Sequence, residues 1–165
     1  MLGSPELDAI NSVKYLYLRE LSEPRDNSLR LVVDEAVVNR SGQVRLEVPE
    51  LLELKKLRED AWPIETTEVC GRFELSWKHV VAYLVTEECV GSCGNCDDES
   101  YTGKLLRVYT KSHFLEHIAR DTGGHAEPIQ HYKLICLNHL IDVASYAPPE
   151  IRLLGPVSSK SQRIQ

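Results

Sequence analysis

The amino-acid sequence predicts a mainly β fold, an antiparallel, sandwich-like arrangement of sheets with one or two short helices; an α+β domain is the alternative. Three observations carry this. Apolar and polar residues alternate over runs of strand length, most clearly around Val69, Phe73, Leu75 and Trp77. Turn clusters such as Ser22-Glu23-Pro24-Arg25-Asp26-Asn27-Ser28 and Arg40-Ser41-Gly42-Gln43 separate those runs at hairpin distances. Helical spacing is confined to two short stretches.

Taken in order, residues 12–20 form a first strand, with Val13, Tyr15, Tyr17 and Leu21 at alternate positions. Residues 29–38 carry Leu31, Val33 and Val37 on one face and Val32, Ala36 and Val38 on the other. A strand apolar on both faces belongs in the middle of a sheet. A short strand follows through Val44, Leu46 and Val48. Pro49 suits a first helical position, and Leu51, Leu54, Leu57 or Arg58, and Ala61 keep helical spacing until Trp62-Pro63. In residues 69–77, Val69, Phe73, Leu75 and Trp77 point inward, with Cys70, Arg72, Glu74 and Ser76 outward. Residues 79–87 read as a second, buried strand, 89–103 as a polar loop and 105–110 as a further strand. Ser112 caps a helix over 113–120 that buries Phe114, Leu115 and Ile118, and Gly123-Gly124 ends it. Residues 129–143 form one bent strand or two, and 151–154 a last edge strand. The expected organisation is a flexible N-terminus over 1–12, one β-rich domain over 13–154 and a disordered tail over 155–165.

Composition narrows the function classes. A chain of 165 residues, 42% hydrophobic and 27% charged, has the size and make-up of one globular domain. Its longest apolar runs are too short to span a bilayer. The start, Met1-Leu2-Gly3-Ser4-Pro5-Glu6, has neither a basic n-region nor an apolar h-region. The expectation is a cytoplasmic protein whose five cysteines stay reduced. Against 25 acidic residues stand 19 scattered basic ones, a formal charge of −6. Such a surface disfavours nucleic acid and anionic membranes and attracts a basic protein partner.

Several constellations invite chemical readings. Cys89-x3-Cys93-x2-Cys96, with Cys70 or His125 as a fourth ligand, has thiols close enough in sequence for a zinc clip. The same spacing occurs in radical S-adenosylmethionine enzymes, but Asn95 precedes the last cysteine and no βα repeat follows. Cys93-Gly94-Asn95-Cys96 has redox-pair spacing without the helix that lowers a thiol pKa. A solvated loop with incidental cysteines outranks all three, so no cofactor is expected and zinc is the outside alternative. His113-Phe114-Leu115-Glu116-His117 fits the H-x-x-E-H zinc pattern, but no later helix supplies a third ligand. Cys136, His139 and Asp142 have the chemistry of a nucleophile, base and orienter, yet residues three apart on a strand face opposite sides.

Phe73-x-Leu75-x-Trp77 leading to Tyr83-x-Val85-x-x-Glu88 resembles an uncharacterised family of bacterial proteins. So do Gly103-x-x-x-Arg107-x-Tyr109-x-Lys111-Ser112-x-Phe114-Leu115 and the run from His131-Tyr132 through Cys136-Leu137-Asn138-His139-x-Ile141-Asp142-Val143. The resemblance spans residues 70–151 and implies no enzymatic activity. Its pattern leaves out Cys89, Cys93 and Cys96. It draws interest to Arg107, Tyr109, Lys111, Ser112, His139 and Asp142, polar groups around a strand–helix junction.

The leading functional expectation is a non-catalytic acidic binding protein, for example an immunity-type protein that neutralises a basic partner, with Glu87, Glu88, Asp97, Asp98 and Glu99 as its acidic surface. A small-molecule-binding protein or enzyme with a polar site at residues 107–112 and His139 is the alternative. A zinc-stabilised domain is the third. The sequence leaves the oligomeric state open.

Overall fold

The computed structural model describes residues 5–40, 62–89, 98–121, 123 and 128–157. They form two open sheets of antiparallel strands and two short helices, the sandwich-like fold expected. In the first sheet the order is β1 (Tyr15–Ser22), β2 (Ser28–Val38), β4 (Gly71–Lys78), β10 (Glu150–Pro156), with the two-residue β3 (Ile64–Glu65) paired to the far end of β2. The second runs β5 (Val80–Glu87), β9 (His139–Ser145), β8 (Gln130–Ile135), β7 (Leu106–Lys111), β6 (Ser100–Thr102). Helix α1 spans Pro5–Ser12 and α2 spans His113–Asp121. No helix among the described residues is long and apolar enough to cross a membrane.

One core fills the space between the sheets. The first supplies Leu16, Leu29, Leu31, Val33, Phe73, Leu75 and Trp77; the second supplies Leu106, Tyr132, Leu134, Ile141 and Val143. Each such leucine or isoleucine withdrawn from water contributes about 1.5–3 kcal/mol before chain ordering is counted. β2 is central, as its two apolar faces require: Leu29, Leu31 and Val33 face the core, while Val32, Asp34 and Ala36 are buried on the other side.

Several expectations need correction. Residues 5–12 are not a flexible lead-in but helix α1, whose Ile10 is buried in the core. Asn11 anchors it: its Oδ1 accepts the backbone N–H groups of Lys104, Leu105 and Leu106 at 2.8, 2.8 and 3.0 Å. In β1 the inward residues are Leu16 and Leu18, not Tyr15 and Tyr17, and a bulge between Leu18 and Glu20 then brings Leu21 back to the core. Val69 is exposed and Cys70 buried, the reverse of the alternation, because a turn precedes β4. There the Cys70 N–H donates to Thr67 O at 3.0 Å and Gly71 is the first strand residue.

The strand over 79–87 is real but not buried. β5 is the end strand of its sheet, so Tyr83, Leu84 and Val85 are all exposed. Residues 129–143 are two strands, β8 and β9, joined through Cys136, Leu137 and Asn138. β10 is an edge strand as expected and continues through Gly155 and Pro156, two residues that the expected tail had included; residues 158–165 lie outside the described residues. The strand through Val44, Leu46 and Val48 and the helix from Pro49 to Ala61 lie outside the described residues.

Candidate functional site

The richest polar arrangement lies on the outer face of the second sheet, where β7 runs into α2. Ser112 ends the strand and caps the helix: its Oγ accepts the Leu115 N–H at 3.2 Å. The same Oγ lies 2.7 Å from His131 Nδ1, and His131 Nε2 lies 2.9 Å from Asp142 Oδ1. Lys133 Nζ reaches that oxygen at 3.2 Å. Pairing of Lys133 with Asp142 in register makes His131 the diagonal neighbour of Asp142, within side-chain reach on one face. Tyr109, opposite His131 in β7, stacks on the imidazole at 4.2 Å, and Phe114 from α2 covers it at 5.1 Å.

The Asp142 carboxylate receives Lys133 and can only accept, so Nε2–H donates to it. In a neutral imidazole Nδ1 is then an acceptor and takes the Ser112 hydroxyl proton, while Ser112 Oγ accepts from Leu115. Every member is satisfied in that tautomer. The connectivity is that of a serine–histidine–aspartate set with the ring nitrogens exchanged. Ser112, at 3% exposure, lies beneath the first turn of α2 with its oxygen already engaged. Such a relay locks the strand–helix junction to the sheet rather than presenting a nucleophile.

Of the sequence-predicted residues, Tyr109, Ser112 and Asp142 meet in this relay through His131, and Arg107 stands beside it, directly opposite Lys133. Lys111 lies apart, exposed and 3.7 Å from Asp98. His139 falls on the face of β9 opposite Asp142, and its buried Nδ1 has no partner among the described residues. His131 enters the sequence reading only within the resemblance pattern and Lys133 not at all, so neither is a candidate site residue there. Their signal was the period-2 pair His131/Lys133 lying opposite Tyr109/Arg107 of β7, visible only once pairing is known.

The metal and nucleophile candidates that fall among the described residues do not assemble there. His113 Nε2 binds Asp98 at 2.8 Å and His117 Nε2 faces Asp121 at 3.6 Å, so the two histidines serve different carboxylates. Hydrogen bonding to Asp98 raises the His113 pKa, and the same bond lowers that of Asp98. Cys70 sits buried against Thr67, and Cys89 is exposed with its pKa raised by hydrogen bonding to Glu87. Cys93, Cys96 and His125 lie outside the described residues. Burial pushes the Cys136 thiol up to about 12, far from a thiolate nucleophile. Among the described residues no group of three or more His, Cys, Asp or Glu converges on a metal position.

A second feature is a sheet edge that no other strand covers among the described residues. Natural sheets guard their edges against added strands. At β1 the β8–β9 turn does so: Asn138 Oδ1 accepts the Leu18 N–H at 2.9 Å, its Nδ2 donates to Leu18 O at 3.0 Å, and Leu137 N–H donates to Leu16 O at 2.8 Å. β6 is only three residues long, and β10 carries a register shift near Gly155 and ends on Pro156. β5 offers eight residues with neither proline nor lysine. Beyond the Val80 N–H, which donates to Asn27 O at 2.8 Å, its outer edge has no backbone partner among the described residues. Exposed Tyr83, Leu84 and Val85 stand along it. Glu23, whose carboxylate accepts the Tyr83 hydroxyl, lies at their side, and Glu87 and Glu88 follow. No protein-family model, curated protein or solved structure matches the chain.

Proposed function

We propose that this protein is a non-catalytic binding protein that takes an extended segment of a basic protein partner onto the β5 edge. The carrying observation is that edge itself, long, apolar and unguarded among the described residues, with three carboxylates around it. An added strand gains main-chain hydrogen bonds, and side chains alternating against Tyr83, Leu84 and Val85 supply specificity. Glu23, Glu87 and Glu88 select a positively charged segment. A second copy of this chain, itself at −6, is repelled. The self-satisfied Ser112–His131–Asp142 relay supports a non-catalytic reading. A partner neutralised in this way gives the immunity-type role.

The test uses a blocked peptide of about eight alternating lysine and valine residues, matched to the strand. Calorimetry should show saturable binding that weakens as salt rises from about 0.1 M to about 1 M, which shortens the Debye length from about 10 to about 3 Å. Leu84→Lys and the double change Glu87→Lys/Glu88→Lys should each weaken it. Equal affinity for a glutamate–valine peptide, or for the charge-reversed variant, contradicts the reading.

A further inference from the structure

Independently of the β5 edge, the outer face of the second sheet holds a cationic corner beside the relay, which shares Lys133 with it. Arg107 and Lys133 face each other directly across β7 and β8. Like charges in that position destabilise a sheet unless something neutralises them. Lys133 is partly neutralised by Asp142 at 3.2 Å. Arg107 forms no ion pair among the described residues, although Arg19, Arg30, Arg72 and Arg152 all hold carboxylates. Instead its guanidinium lies 4.3 Å over the Tyr101 ring, its Nε makes a long contact of 3.4 Å to Lys104 O, and its charge favours the ionised form of Tyr109 against the upward push of burial. Two acids lie near this corner and both are engaged: Asp142 with His131 and Lys133, and Glu99 with the His113 N–H at 3.0 Å.

We propose that Arg107, Lys133 and the Tyr109 hydroxyl form a binding site for a phosphate-bearing small molecule, with the guanidinium held on Tyr101 as its main contact. Stacking on Tyr101 fixes the plane of the fork, so little side-chain freedom is lost when it grips two phosphate oxygens. Two cations and a neutral hydroxyl suit a doubly charged phosphate better than a single carboxylate. Partial exposure of Arg107 leaves the oxygens an approach from solvent.

The full chain, labelled for nuclear magnetic resonance, is titrated with inorganic phosphate, with sodium chloride at matched ionic strength and with acetate. Phosphate should give saturable shifts centred on the Arg107 Nε–H, the Lys133 amide and the Tyr109 ring, with millimolar affinity typical of one small anion. Arg107→Gln should weaken that affinity about tenfold or more. In parallel, phosphate should raise the Tm of the unaltered protein more than chloride does, a readout that does not depend on any variant folding. Shifts matched by chloride, acetate binding as tight as phosphate, or unchanged phosphate affinity in folded Arg107→Gln would each overturn the proposal.

Discussion

Replacing Ser112 by alanine separates a relay that holds the fold from a serine that reacts. The change removes the hydroxyl that caps α2, a loss of about 1 kcal/mol at a typical helix start. It also leaves His131 Nδ1 buried without its donor, since the ring is 1% exposed and stacked between Tyr109 and Phe114. An orphaned buried nitrogen costs about 1–3 kcal/mol. Together the loss is about 3 kcal/mol, which for a chain of this length lowers Tm by roughly 6–12 °C. Urea denaturation followed by circular dichroism measures it, with Ser112→Thr, which keeps the hydroxyl, as the milder companion. A loss below about 0.5 kcal/mol, the range of an ordinary surface change, refutes the reasoning. So does covalent labelling of Ser112 by a fluorophosphonate, which needs an accessible and activated oxygen.

On the first sheet, the Asp34 carboxylate is buried and gripped by Arg72 at 2.6 and 2.9 Å and by Arg19 at 2.8 Å. Asp34→Ala should cost about 3 kcal/mol in the same denaturation experiment, the lower end for a broken buried pair because both arginines keep partial access to water. His113 should titrate above the ordinary histidine value of about 6.5 when its ring protons are followed by resonance, and Asp98→Asn should bring it down. Because the His113 pKa is raised and that of Asp98 lowered, their contact is fully formed between about pH 4 and pH 6.5. It weakens as pH rises through the folded His113 value or falls through that of Asp98. Gly103→Ala should destabilise by about 2 kcal/mol or more: Gly103 sits at φ +91°, and a Cβ there would lie 2.1 Å from Leu106 O.

The sequence made the β character and the Ser112 cap readable because both are local: alternation marks a strand, and a serine before an amphipathic run marks a helix start. It also placed β2 at the centre, since only a central strand is apolar on both faces. Alternation failed where the chain departs from a regular strand, at the β1 bulge and at the turn that buries Cys70. It failed differently at β5. An apolar run reads as buried unless the sheet order is known, and that order puts β5 at an end with Tyr83, Leu84 and Val85 in water. The relay was half legible. Ser112 and Asp142 were singled out individually, but His131 joins them only through the register of β7, β8 and β9, which no single segment encodes.

Amide hydrogen exchange across β5, with and without the lysine–valine peptide, tests the docking surface most directly. Strand addition predicts that backbone amides on the outer edge of residues 81–87 slow on peptide binding, while the β1 edge, already occupied by Asn138, does not change. Protection that appears elsewhere, with the β5 amides exchanging as fast as before, contradicts it.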